Sequence, residues 1–145
     1  MTRFAKFLLA ALTGLNVSLA APAVRAADLQ GTYYEDNGVC SQPWVLSKIT
    51  HRFRHQVTHV PNLPLVDIVD FRRIQERRYE PASERWPIGR HYCRATAALS
   101  SGEERPVWYL IEEGQGFASI GDNVEFCVAG FDRWMVYDGK CRILR

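Results

Sequence analysis

The chain has 145 residues, of which 47% are hydrophobic and 23% are charged. This length suits one domain rather than two, and this composition excludes a chain that is disordered throughout. Four cysteines are too few for a small scaffold held together mainly by disulfides, and the formal net charge of +2 is modest.

Residues 1–26 have the three parts of a secretory signal peptide. A basic start precedes the uncharged run from Phe7 to Ala21, and Val24-Arg25-Ala26 provides small or β-branched residues for cleavage. A retained membrane anchor is the alternative, but a membrane span needs about 20 apolar residues and this run is shorter. We therefore predict a signal peptide over 1–26, cleaved near Ala26, and a single domain over 27–145 that is periplasmic or secreted.

Cleavage would also change the charge of the protein. Loss of Arg3, Lys6 and Arg25 leaves 15 basic residues against 16 acidic ones, a net charge of −1. The basic character therefore belongs largely to the leader, and we expect neither a nucleic-acid partner nor a transmembrane segment in the mature chain.

The cysteines agree with export, because an even number of them in an oxidising compartment predicts disulfides. A metal site is disfavoured, since metal-binding cysteines are usually close pairs and the smallest gap here is 14 positions. Four cysteines allow three pairings. We favour Cys127–Cys141 with Cys40–Cys93, because the segment between Cys127 and Cys141 contains turn signals that let it fold back.

The first predicted elements are a short strand and a helix. The strand is Gln30–Tyr34, followed by a turn. Ser41 is a plausible N-cap, and Trp44–Val57 has helical periodicity up to the proline at position 61. Four apolar residues form the predicted buried stripe of this helix: Leu46, Ile49, Phe53 and Val57.

The remaining pattern predicts strands. Leu65–Phe71 is rich in β-branched residues and is predicted as a strand that continues through a bulge to Tyr79, with an amphipathic helix as the alternative. His91–Leu99 and Val107–Glu112 predict a hairpin, in which Cys93, Ala95, Ala97 and Leu99 share a face. Further short strands are predicted at Phe117–Ile120, Val124–Val128 and Trp134–Tyr137. The fold class is α+β: one N-terminal amphipathic helix packed on a four- to six-stranded antiparallel sheet.

Several segments in the C-terminal half carry a family resemblance. They are Arg90–Ala95, Tyr109–Gly114, Glu125–Asp132 and Cys141–Leu144. In these segments the chain resembles a group of small exported proteobacterial proteins with no assigned activity. The resemblance implies a location in the cell envelope and an uncharacterised domain, and it supplies no catalytic residues.

Three histidines have the spacing of a helical stripe. His51, His55 and His59 lie at i, i+4 and i+8, opposite the predicted apolar stripe. Two of them could share a zinc ion, but eight residues of helix rise about 12 Å, which is too far for all three. A solvated polar face is the favoured interpretation, with a pH-responsive surface as another. We predict no metal and no cofactor.

Charge is unevenly distributed and predicts a binding surface. Residues 48–94 contain ten Lys and Arg against five Asp and Glu, whereas residues 95–145 carry a net charge of −3. This surface could meet an anionic envelope component or a protein partner, or it could serve solubility alone. The predicted residues are Lys48, Arg52, Arg72, Arg73, Arg77 and Arg78.

A second candidate surface is aromatic, and enzyme signatures are mostly absent. Exposed rings can hold sugars or protein partners, although half of those in a sheet should be core. These residues are Trp108, Tyr109, Phe131, Trp134 and Tyr137.

For an enzyme, His91 could form an acid–base couple with Glu112 across the hairpin. The sequence favours a non-enzymatic binding module of the envelope, with a hydrolase-like enzyme around His91 as the alternative.

Overall fold

The computed structural model describes residues 38–145. Over this range the chain has one α-helix and a four-stranded antiparallel sheet with strand order β1-β2-β3-β4, which confirms the α+β class. The predicted signal peptide and the predicted strand Gln30–Tyr34 lie outside the described residues. The elements are α1 (Pro43–His59), β1 (Ile68–Glu80), β2 (Arg90–Leu99), β3 (Glu104–Glu112) and β4 (Asn123–Val128).

Helix α1 begins at Pro43, where the missing backbone N–H of proline costs no hydrogen bond. Its N-cap is Gln42 rather than the predicted Ser41, whose hydroxyl instead donates to the Gly38 carbonyl at 3.0 Å. The helix ends at His59, within the predicted limits. Its buried residues are Val45, Ile49, Phe53 and Val57, so Val45 takes the place predicted for Leu46.

The helix packs on one face of the sheet, which we call the helix-side face. Strand alternation puts Cys93, Ala95, Ala97 and Leu99 of β2 into this core, as predicted, and all four are 3% exposed or less. The ring of Phe53 meets that of Phe131 edge to face at 4.9 Å. Tyr109 is fully buried, and its hydroxyl donates to the Cys40 carbonyl at 2.8 Å, so the polar group in this core is satisfied.

Strand β1 forms one edge of the sheet and is irregular. The predicted strand, rather than the alternative helix, is present, and its pairing with β2 shifts register at three places. One shift lies between Arg72 and Gln75, where Arg73 has a φ of 52°. Such bulges strengthen the local twist and blunt an exposed edge strand.

The opposite face of the sheet, called the outer face below, is covered over β3 and β4 only. Here the segment after β4 returns across the sheet and buries a second apolar cluster. Its buried members are Leu110, Cys127, Cys141 and Leu144, with Tyr92, Trp108 and Tyr137 packed around them. The β1 and β2 part of this face has exposed side chains at Arg72, Gln75, Arg78 and Arg94, and we call it the open half.

Two disulfides fasten these layers, which confirms the prediction of disulfide bonds. Cys40–Cys93 ties the turn before α1 to β2, and Cys127–Cys141 ties the C-terminal segment to β4. These are the pairs favoured from the sequence, and residues 38–145 contain no free cysteine. Within the same range, no helix has the length and apolar character needed to cross a membrane.

Two predicted strands are wrong. Phe117–Ile120 forms a 3-10 turn in which Ala118 and Ser119 have positive φ angles of 52° and 62°. Trp134–Tyr137 lies in consecutive turns, with Met135 at a φ of 55°. Neither segment pairs with a strand of the sheet, and the apolar side chains that suggested burial are largely exposed, Phe117 by 95%.

Candidate binding surface on the outer face of the sheet

Lys48 and Arg52 of the predicted anionic-partner surface lie on α1 beside β4. Lys48 donates to the Asp122 carbonyl at 3.0 Å, and Arg52 donates to the Val124 carbonyl at 2.5 Å. Burial, together with the charge of Arg52, lowers the pKa of Lys48. These two side chains therefore attach the helix to the edge of the sheet at β4.

The other predicted cations lie on β1, at the opposite edge. Arg72 and Arg73 both bond Glu104, at 2.9 and 2.8 Å, and Arg72 also bonds Asp70 at 3.0 Å. Arg77 is exposed and forms no ion pair with any described residue. The six predicted cations all lie within residues 48–94 of the sequence. In the structure they divide between the two edges of the sheet, because β1 and β4 are its outermost strands.

A different set of residues converges on the outer face. Arg78 of β1 lies directly opposite Tyr92 of β2, and its guanidinium carbon is 3.8 Å from the centre of the tyrosine ring. Arg94 lies opposite Trp108 of β3 at 5.8 Å, and Arg145 approaches the same indole to 4.3 Å. We call these five residues the arginine–aromatic ladder.

The ladder is electrostatically unbalanced. Arg78 has a carboxylate partner, Glu80, at 3.2 Å, but neither Arg94 nor Arg145 forms an ion pair with any carboxylate in residues 38–145. Arg145 does donate to the Lys140 carbonyl. A guanidinium that stacks on a ring keeps the N–H groups at its edge for other partners. The ladder can therefore offer paired donors to a carboxylate, sulfate or phosphate.

A polar row borders the ladder on the same face. Arg90 of β2 bonds Glu112 of β3 at 3.1 Å, and the Asn123 amide donates to the same carboxylate at 3.4 Å. Glu112 is thus on the outer face. It is not the partner of His91, as the sequence had suggested, because successive residues of a strand point to opposite faces.

His91 lies on the helix-side face between two other carboxylates. Its Nε2 is 2.9 Å from Glu113 and its Nδ1 is 3.3 Å from Glu76, while its ring stacks on Tyr79 at 4.3 Å. A Cβ at position 89 would lie 2.3 Å from a Glu113 carboxylate oxygen, so a larger residue than glycine there would displace this carboxylate. With 15% of its side chain exposed, His91 has both ring nitrogens already engaged.

The three helical histidines are exposed, on the side of α1 opposite its buried stripe. The rings of His55 and His59 stack at 3.9 Å, and the Nδ1 of His59 lies 2.7 Å from the His55 carbonyl. Residues 38–145 hold no group of three side chains arranged to ligate a metal ion.

The predicted aromatic surface is divided between core and surface. Tyr109 and Phe131 are core residues, whereas Trp134 is 66% exposed. Trp108 and Tyr137 are half-buried on the outer face, and Trp108 alone of the five joins the ladder. Sequence reasoning missed Tyr92 and Arg145 as surface residues. Strand alternation did place Arg94 on the face opposite Cys93, and that was the available signal.

Comparison of the chain with protein-family models, with curated proteins and with solved structures finds no match. The resemblance to small exported proteins stays a prediction.

Proposed function

We propose that this protein is an exported, non-enzymatic binding module of the cell envelope that takes an anionic partner on the arginine–aromatic ladder. The observation that carries the proposal is the placement of Arg94 and Arg145 against Trp108. Neither has a carboxylate partner among residues 38–145: Arg94 lies on the open half, and Arg145 lies at the end of the C-terminal segment that borders it.

The contrast with Arg72 and Arg73 explains why the ladder is the better candidate. Those two guanidinium groups share Glu104, so an incoming anion would have to compete with an existing ion pair. In the ladder, the guanidinium groups of Arg78 and Arg145 lie 3.8 and 4.3 Å from the centre of an aromatic ring, which restricts them without neutralising their charge. Less side-chain entropy is then lost when an anion binds.

Export is supported by separate observations. Disulfides form and persist outside the reducing cytosol, and this domain has one on each face of its sheet. The leader-like residues 1–26 and the resemblance to small exported proteins favour the same location. A net charge of −1 after cleavage makes the local excess of arginine on the open half more distinctive.

Acid–base chemistry at His91 has less support. A general acid or base needs a ring nitrogen within reach of the substrate proton. Both nitrogens of His91 contact carboxylates, so the cluster is better suited to hold β1, β2 and the segment after β3 together.

The test is binding of a fluorescently labelled poly-L-glutamate to the exported, purified protein. We expect Arg94→Gln to weaken binding about tenfold, the value of a charge-assisted hydrogen bond. Arg133→Gln is the matched control, because it removes another exposed arginine, one outside the ladder. Wild-type binding should also weaken as salt is added.

Equal effects of the two substitutions would reject the ladder as the binding surface. Affinity that does not change between low and high salt would reject an electrostatic partner altogether.

A further inference from the structure

A cleft opens at the tip of the β1–β2 hairpin, beside the ladder. Its volume is about 530 Å³, within the range of ligand pockets of roughly 300–1,000 Å³. Apolar side chains form its walls, and one cation and one anion accompany them. The lining residues are Tyr79, Glu80, Pro81, Trp86, Ile88 and Arg90.

The two aromatic walls of the cleft are both exposed. Trp86 is 61% exposed, and its backbone exchanges two hydrogen bonds with Ser83, at 2.8 and 3.1 Å, which closes a tight turn. Tyr79 is 45% exposed, and its ring is fixed by stacking on His91. The stacked Tyr79 ring therefore loses little freedom when a ligand covers it.

The polar groups of the cleft connect it with the ladder. Glu80 and Arg90 are directly opposite each other, and Glu80 also accepts a hydrogen bond from the Tyr92 hydroxyl at 3.4 Å. Arg78 and Tyr92 form another directly opposed pair of the same two strands. A ligand that fills the cleft can therefore continue onto the open half without leaving the surface.

We infer that the cleft is a subsite for one sugar ring of an anionic polysaccharide whose acidic groups extend along the ladder; this inference rests on the proposed function. The C–H faces of a pyranose ring carry partial positive charge and suit the negative faces of Trp86 and Tyr79. Arg90 is already paired with Glu112 and Glu80 with Arg78, so the sugar hydroxyl groups would use the N–H groups of Arg90 and the lone pairs of Glu80 that these ion pairs leave over.

The same features disfavour other occupants. A purely apolar ligand would remove water from Arg90 and Glu80 without replacing their hydrogen bonds, which costs binding energy. A simple polyanion would use the ladder but would leave the two rings uncovered. A polysaccharide with acidic groups can place a sugar ring in the cleft and its acidic groups on the ladder. An acidic polysaccharide is therefore the partner that fits both parts of the surface.

The experiment compares two labelled probes on the exported protein: an oligogalacturonate and a poly-L-glutamate with the same number of carboxylates. We expect Trp86→Ala to weaken oligogalacturonate binding at least tenfold, as for a central aromatic contact, and to leave poly-L-glutamate binding unchanged. Trp86→Phe, which keeps an aromatic face, should retain most of the sugar affinity. Trp134→Ala is the matched control at a tryptophan of similar exposure.

The outcomes separate the two proposals. If Trp86→Ala leaves oligogalacturonate binding intact, weakens both probes equally, or has the same effect as Trp134→Ala, the sugar subsite is overturned while the anionic ladder stands. If Arg94→Gln weakens neither probe, the ladder itself fails. Loss of sugar binding in Trp86→Ala with recovery in Trp86→Phe supports the subsite.

Discussion

The two faces of the sheet differ in how much of each is covered by other parts of the chain. On the helix-side face, Ile49, Phe53 and Tyr109 have no exposed surface, and their packing is continuous from α1 to β4. On the outer face, the C-terminal segment covers β3 and β4 and stops, so the arginines of β1 and β2 face solvent. The larger apolar core lies on one side of the sheet, and the surface for which we propose binding lies on the other.

Each face has its own disulfide. Cys40–Cys93 secures the turn that leads into α1, and Cys127–Cys141 secures the segment that carries Arg145 to Trp108. The second bond closes a span of 14 residues and the first a span of 53. If the two faces act separately, substitutions on the helix-side face should mainly reduce the free energy of unfolding, and substitutions on the outer face should mainly weaken binding.

The largest effect is expected from Phe53→Ala. This change removes a fully buried ring that packs on Phe131, so it should reduce the free energy of unfolding by about 3–5 kcal/mol. Denaturant unfolding measures the loss. His51→Ala, an exposed change on the same helix, should stay within about 0.5 kcal/mol, and a similar cost for both would contradict the assignment of the core to this face.

The disulfides sharpen the comparison further. Replacing Cys40 and Cys93 together by alanine should cost about 4 kcal/mol in the chain-entropy model, and replacing Cys127 and Cys141 about 3 kcal/mol. Loss of Cys127–Cys141 should nevertheless have the larger effect on binding of poly-L-glutamate, because it frees Arg145 from the ladder. Measuring unfolding and binding on both double variants tests this; greater loss of binding from the Cys40–Cys93 variant would reverse our assignment.

The smallest predicted effect concerns pH. Burial, followed by the charges of Glu125 and Asp132, raises the pKa of Tyr137 above its ordinary value of 10.0. The neutral phenol is therefore favoured in the folded state. The resulting stabilisation is fully present below pH 10 and is lost as the pH rises through the folded pKa. Unfolding midpoints between pH 8 and roughly 11 should fall more for the wild type than for Tyr137→Phe; parallel curves would remove Tyr137 as the cause.

Sequence periodicity was a good guide wherever a side chain faced the common core. Alternation placed Cys93 to Leu99 correctly, and the helical stripe was right at Ile49, Phe53 and Val57. It failed at Phe117–Ile120 and Trp134–Tyr137 because apolar composition resembles a strand when φ is unknown. The positive φ angles of Ala118 and Met135 could not be predicted from residue type, because neither residue is glycine.

The candidate site was harder to predict because it depends on register. A run of basic residues identified Arg78, but its contact with Tyr92 follows from a pairing that passes through bulges. Arg145 reaches Trp108 only because a turn-rich segment folds back after β4. Cross-strand partners and chain reversals of this kind are three-dimensional facts that a charge count along the chain does not contain.

The attachment of α1 to β4 has a consequence for self-association. Arg52 donates to the Val124 carbonyl and the Phe131 N–H donates to the Val128 carbonyl, so two of the backbone acceptors that an incoming strand would need at this edge are already taken. A fibre with a continuous sheet can grow only if both edge strands of each molecule can pair with another copy. With β4 partly occupied in this way, two copies that met through β1 alone would form a closed pair rather than a fibre.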